Sequence, residues 1–533
     1  MNRNWILYGL LAAPLALQAQ TQDPTPYAKT ITAADLEKHL RVLASDEMEG
    51  RETGTRGQKK AADYIAKYFK SEKLTPIVKD DKGKDSFLQS FNLYRKTWGD
   101  FYVKAGGQTF TYQKDFTSNG LLNLPSETSY ETVFIGYGIS DSAYDDYAGV
   151  DVKGKAVVFL DGEPKKADGT SVISGTKDAS KWGSADSWRN KTTLAKEKGA
   201  AQIFIVSAET GEGFKRVLAQ RGALAGRFNR LMLKSTTENV GSVGSFLISA
   251  PMAAALLGTQ ADQLAKAGEQ IGQAGKPTAS SMKGQVAVKA ERKEETVSTE
   301  NVLGFLEGTD KKDEVLVISS HYDHIGISPD GQINNGANDD GSGTMSVLEI
   351  AQAFAKAKAD GKGPRRSILF LTVTGEEKGL LGSEYYADFS PAIPLEKTVA
   401  DLNIDMVGRV DDLHLGKSDN YIYVIGSDKL SSELHTISEA TNAKYINMEL
   451  DYKYNDPKDP QRIYYRSDHY NFAKKKIPII FYFNGLHPDY HRPTDDVDKI
   501  DFKLAEKSAR LVFYTAWEIV NRDGRLVVDS NKP

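Results

Sequence analysis

Two adjacent glutamates, Glu376 and Glu377, stand directly after an almost wholly apolar run in SILFLTVTGEEKGLLGS. Comparable polar groups follow other apolar runs. SHYDHIG carries His321 and Asp323 after EVLVIS; NNGANDDGSG carries Asp339 and Asp340; NIDMVG carries Asp405 after TVADLNI; and HPDYHRPTDD carries Tyr490 and His491 beyond IPIIFYF. Taken alone, an acid after a strand reads as a helix N-cap, and Asp340 is read that way. Taken together, carboxylates converging on one edge would repel one another and lose hydration, which a bound divalent cation relieves. The chain has no cysteine, so thiol catalysis, thiolate metal sites and disulfides are all excluded. Imidazole and carboxylate donors without sulfur suit Zn²⁺, with Mn²⁺ or Co²⁺ as alternatives.

Such a cluster needs elements that end together. EVLVIS (314–319), SILFLTV (367–373) and IPIIFYF (477–483) are short runs rich in β-branched residues, and TVADLNI (398–404) is a weaker fourth. Their continuity predicts strands covered on both faces. Between the first two lies GTMSVLEIAQAFAKA, with Val347, Ile350, Ala351 and Phe354 on one helical face. A second stripe, Ala61, Tyr64, Ile65, Tyr68 and Phe69, predicts a helix over 57–70. Strand, helix, strand gives an α/β three-layer sandwich on a mostly parallel mixed sheet, whose carboxyl edge is where ligands bind. From 118 to 288 the texture changes: TVFIGYGI, KAVVFLDG and AQIFIVSA are separated by Gly-rich, Ser-rich and charged segments, so a small β-rich α/β module is expected there.

At 533 residues the chain exceeds what one core usually holds. The boundaries expected are a signal peptide at 1–20, a first domain part at 25–117, the insert at 118–288, the metal-binding part at 289–525 and a tail at 526–533. Lys and Arg total 68 against 72 Asp and Glu, a net charge of −4, which gives no reason to expect nucleic acid as partner. A peptide or small molecule is the expected substrate. The N-terminus has an early Arg, an apolar stretch from Trp5 to Leu17 and small or polar residues around Ala19, which predicts export to the periplasm or medium after cleavage. No later segment is apolar enough to span a membrane.

The five stretches SHYDHIG, NGANDDGSG, TGEEKGLLGS, NIDMVG and DYHRPTDD, in this order, resemble the two-zinc exopeptidases that include bacterial leucyl-type aminopeptidases and glutamate carboxypeptidase. LASDEMEGRETGTRGQKKAADYIAKYF and RSDHYNFAKKKIPIIFYF resemble flanking parts of the same family, and the insert, with GYGI, GVDVKGKAVVFLDG and KGAAQIFIV, resembles its protease-associated domain. The resemblance implies two Zn²⁺ bridged by Asp339, one completed by His321 and Asp405 and the other by Glu377 and His491. It implies that Asp323 accepts the second imidazole N–H of His321, that Glu376 is the general base, and that Tyr490 donates a hydrogen bond to the tetrahedral oxyanion. His324, His469 and His487 are expected to be structural or surface residues.

Other readings stay open at this stage. Glutaminyl cyclases share the fold and would use Asp468, and receptor-like relatives bind without catalysis. The sequence has no G-x-S-x-G, which argues against a serine hydrolase, and it lacks the H-E-x-x-H of other zinc proteases. Aminopeptidase is the direction expected. A carboxypeptidase would need a cation for the terminal carboxylate, and Arg409, Arg462, Arg466 and Arg492 lie near the motifs. Oligomeric state has no signature in the sequence.

Overall fold

The apolar runs are strands. In the computed structural model, which describes residues 23–531 except 121, 143, 185, 227–229, 236–240 and 278–281, contacts divide the chain into two units, Met1–Asn92 with Ser298–Pro533, and Leu93–Val297. The export signal expected at 1–20 lies outside the described residues. No helix among the described residues is long and apolar enough to cross a membrane.

Among the described residues, the sheet that carries the site in the first unit includes β1 (Lys283–Leu306, by its C-terminal part), β2 (Lys311–His321), β3 (Arg366–Val373), β4 (Thr398–Ile404), β5 (Tyr421–Ile425), β6 (Glu449–Asp451) and β7 (Ile479–Phe483). Their order is β6-β5-β7-β4-β2-β3-β1. The central strands β3, β2, β4 and β7 are mutually parallel, whereas β1 and β5 pair antiparallel with β3 and β7. The mixed, mostly parallel sheet expected from the apolar runs is therefore present.

Period-two alternation sorts the strand side chains to two faces. Leu316 and Ile318 of β2, with Ile368 and Phe370 of β3, join the core formed with helices α1 (Ala33–Leu43), α2 (Arg56–Ser71), α3 (Ser342–Ala359) and α4 (Phe502–Asn521). Val315, Val317, Leu369 and Leu371 face the other way, onto Tyr386, Phe472 and Ile477. Helices on one face and shorter segments on the other make three layers. Helix α2 starts where the Thr55 side chain accepts the Gln58 N–H and buries Ala61, Ile65 and Phe69, the stripe expected from its spacing. Truncating a fully buried Phe such as Phe69 to Ala removes about 3–5 kcal/mol. Phe354 of α3 meets Phe513 and Trp517 of α4, with ring centroids 4.7 and 5.8 Å apart.

In the second unit, Leu124–Phe134, Ala156–Leu160, Gln202–Val206 and Ser245–Ile248 lie side by side and parallel. Phe116–Asn119 and the first residues of β1 add antiparallel edges. One face is filled by Phe116, Phe204, Phe246 and Leu256, the other by Val157, Phe159, Ile203 and Ile205. A buried acid lies beneath this sheet: Asp146 accepts the main-chain N–H groups of Tyr137 and Ile139 at 3.1 and 3.0 Å and the Tyr144 hydroxyl at 2.8 Å. Burial pushes its carboxyl up to about 6.

Candidate metal centre

Because β2, β3, β4 and β7 run parallel, their carboxyl ends share one edge. His321 is the last residue of β2, Glu376 and Glu377 follow β3, Asp405 follows β4, and Tyr490 and His491 lie in the loop beyond β7. Asp339 arrives from the loop ahead of α3, and three buried groups fix that loop. Asp340 accepts the N–H groups of His321, Gly343 and Met406 at 3.3, 2.7 and 3.1 Å, so it ties the ends of β2 and β4 to the first turn of α3. Asp495 accepts the N–H groups of Asn338 and Asp339, both at 3.1 Å. Arg51, wholly buried, donates to the carbonyls of Leu43, Tyr322, Asn335 and Gly336 at 2.6, 2.7, 2.6 and 2.9 Å. Gly336 sits at a φ of +58°, where a Cβ would meet the Asp339 carbonyl and lie 2.5 Å from the His324 ring.

The two oxygens of Asp339 face different neighbours. Oδ1 lies 3.3 Å from His321 Nε2, which is itself 3.7 Å from Asp405 Oδ1. Oδ2 lies 3.1 Å from His491 Nε2, which is 3.0 Å from Glu377 Oε2. His321, Asp339 and Asp405 thus bring one donor atom each within 4.8 Å of one another, and so do His324, Asp339 and Glu377. Asp339 Oδ2, Glu377 Oε1 and Asp405 Oδ1 are buried without a well-formed hydrogen bond. Buried carboxylate oxygens left this way are strongly disfavoured unless a cation meets them, so the donor set fits divalent metal. The other Asp405 oxygen is held at 2.7 Å by the Ser467 hydroxyl, which in turn accepts from Asn403.

Charge on the imidazoles balances part of this acidity. Burial opposes an imidazolium at His491, but the carboxylates of Asp339 and Glu377 beside it outweigh that and push the group up to about 10. Burial likewise opposes His321, yet Glu376 and Asp405 hold it well above the usual range.

Residues 301–516 match the sequence profile of Peptidase family M28. Aminopeptidase YwaD of Bacillus subtilis (strain 168) is 24% identical over 243 residues, covering 42% of this chain and 46% of its own length. A probable leucine aminopeptidase of Arthroderma otae is 29% identical over 242 residues, 43% of this chain and 60% of its own. A probable glutamate carboxypeptidase of Arthroderma benhamiae is 37% identical over 116 residues, 21% of this chain and 15% of its own. The matches to the first two span about half of each relative's length.

Within the M28 stretch, Glu376 lines a cavity of about 30 Å³ together with His321, Asp339, Asp405, Arg466 and Tyr490. Its Oε2 lies 3.9 Å from His321 Nε2, and burial raises its carboxyl well above the ordinary value. Tyr490 stacks on His491 with ring centroids 3.9 Å apart, and its oxygen accepts from Arg466 Nη2 at 3.1 Å. Asp323 meets His321 differently from the expectation. The His321 Nδ1 is 3.1 Å from the Asp323 main-chain carbonyl and 3.7 Å from its carboxylate, which instead accepts from the Thr53 hydroxyl at 2.7 Å and the Glu376 N–H at 3.3 Å. The tautomer of His321 is therefore set by a carbonyl, and the Asp323 side chain holds the Glu376 backbone.

His324 departs from its expected structural role by facing the second cluster, its Nδ1 2.9 Å from Glu377 Oε1 and 3.7 Å from Asp339 Oδ2. The only sequence signal for it was its place three residues after His321 in the same short loop. His469 and His487 are buried and desolvated, lowered to about 3 and about 4. His469 hydrogen-bonds the Tyr464 carbonyl, a structural contact. Asp468 is buried, raised to about 7 chiefly by that burial, and accepts from Ser383 at 2.5 Å.

Proposed function

We propose that the chain is an exported zinc-dependent exopeptidase, acting as an aminopeptidase, with two ions bridged by Asp339. The observation that carries this reading is Asp339 itself, whose two oxygens face two separate sets of histidine and carboxylate donors. His321 and Asp405 would hold one ion; Glu377 and His491 would help to hold the other. Bound zinc lowers the pKa of a water towards about 7 and polarises the carbonyl under attack. Glu376, with its raised proton affinity, takes the proton from the attacking water and returns it to the leaving amine. Tyr490 accepts from Arg466, which leaves its own O–H free to donate to the oxyanion.

The names of the two aminopeptidase relatives support cleavage from the N-terminus. One observation favours the opposite direction: Arg466 lines the cavity beside Glu376, where a guanidinium can bind a terminal carboxylate. Export is supported by the apolar stretch in 1–20, and the unit Leu93–Val297 is proposed to be a protease-associated domain. Purified full chain should hydrolyse leucine 4-nitroanilide, lose activity with a chelator and regain it with zinc, while N-acetylation of a peptide substrate abolishes cleavage. Cleavage that survives acetylation but is lost on C-terminal amidation would make the chain a carboxypeptidase.

A further inference from the structure

The proposed pair of ions leaves the buried imidazole of His324 without a role. His324 is fully buried, and neither ring nitrogen has a well-formed hydrogen bond. Its backbone is fixed by donation from its N–H to the Arg51 carbonyl at 3.3 Å. Its ring fits against Gly336, where any Cβ would collide, and meets His491 edge-on with centroids 5.7 Å apart. His487 is also buried with neither ring nitrogen hydrogen-bonded, but among the described residues it belongs to no group of donors that could hold a metal. His324 Nδ1 instead points at the two acids already assigned to an ion, Glu377 and Asp339.

We propose that His324 is a metal ligand, so that one position is enclosed by four protein donors, His324, Asp339, Glu377 and His491, and the other by three, His321, Asp339 and Asp405. The inference rests on the metal-dependent reading above and adds an asymmetry to it. Two imidazoles and two carboxylates complete a four-donor zinc set of the kind found in closed sites, whereas three donors leave a place for water or substrate. The four-donor position retains its ion, and the three-donor position, next to Glu376, exchanges its ion and meets the substrate.

The test uses the full chain, stripped with a chelator and titrated with Zn²⁺ against a chromophoric competitor, and with Co²⁺ while its visible absorption is followed. Wild type should take two ions, one more tightly. His324→Gln should weaken the tighter ion by at least about 100-fold, the upper end of what loss of an outer partner does, leave the weaker one unchanged and alter the Co²⁺ spectrum of the first equivalent. X-ray absorption of wild type carrying one equivalent of zinc counts its imidazoles without any substitution, and two are expected. Wild-type affinities and spectrum in His324→Gln, or a single imidazole on the first zinc, would overturn the role of His324 while leaving the two-metal reading intact. A wild-type chain that bound neither ion would overturn that reading as well.

Discussion

At the residue scale, the adjacent glutamates should fail in different ways. Glu376 lies nearest His321 and lines the cavity, whereas Glu377 is 3.0 Å from His491 and 2.9 Å from His324. Glu376→Gln keeps the shape and removes the proton acceptor, so metal content should stay at wild-type level while kcat falls by roughly 10²-fold or more. Under the proposed roles, Glu377→Gln replaces a charged ligand by a poor neutral one, so metal analysis should show a lost ion and activity should recover partly with excess zinc. Zinc loss confined to Glu376→Gln would reverse the two roles. Tyr490→Phe tests the oxyanion contact, with kcat reduced by about 10²-fold and metal content unchanged.

At the element scale, the junction of α3 with β4 controls where Asp339 sits. A Cβ on Gly343 would collide with the Ile404 carbonyl and the Asp340 carboxylate, both fixed by the fold. Gly343→Ala should therefore lower the melting temperature, at a loss of about 2–3 kcal/mol, and weaken metal binding in the protein that still folds. The strands around this junction were legible in unequal measure. Runs such as SILFLTV declare themselves because both faces are apolar. TVADLNI was a weaker candidate because Asp401 and Asn403 interrupt it, and the structure shows why they are tolerated: the Ser319 hydroxyl lies 2.7 Å from Asp401 and 2.9 Å from Asn403. YIYVI, the strand β5, passed unread because five residues between loops carry no period that separates strand from helix. The acids and two of the histidines at the edge were legible from their place after strands. His324 was not, because a lone histidine three residues from a ligand candidate resembles any buried one until its neighbours are placed.

At the scale of the whole molecule, the unit Leu93–Val297 has a sheet and apolar clusters on both of its faces. Residues 93–297 expressed alone should unfold in one cooperative urea transition, and a non-cooperative loss of circular dichroism would refute its independence. Asp146 should give that transition a pH dependence. Its carboxyl is raised from 3.8 to about 6, so the folded unit holds the proton more tightly than the unfolded chain. The resulting stabilisation is complete below about 4 and is lost as pH rises through about 6, a change of about 3 kcal/mol. Urea midpoints measured across this range should flatten in Asp146→Asn. Arg51 has a different consequence, for biosynthesis. Three of its four carbonyl acceptors lie 271 to 285 residues downstream. At 5–20 residues per second, its guanidinium leaves the ribosome roughly 15–60 s before Gly336 does. Throughout that interval the nascent N-terminal helices α1 and α2 lack their strands, so the candidate metal-binding edge is assembled late, after the whole of the second unit has emerged.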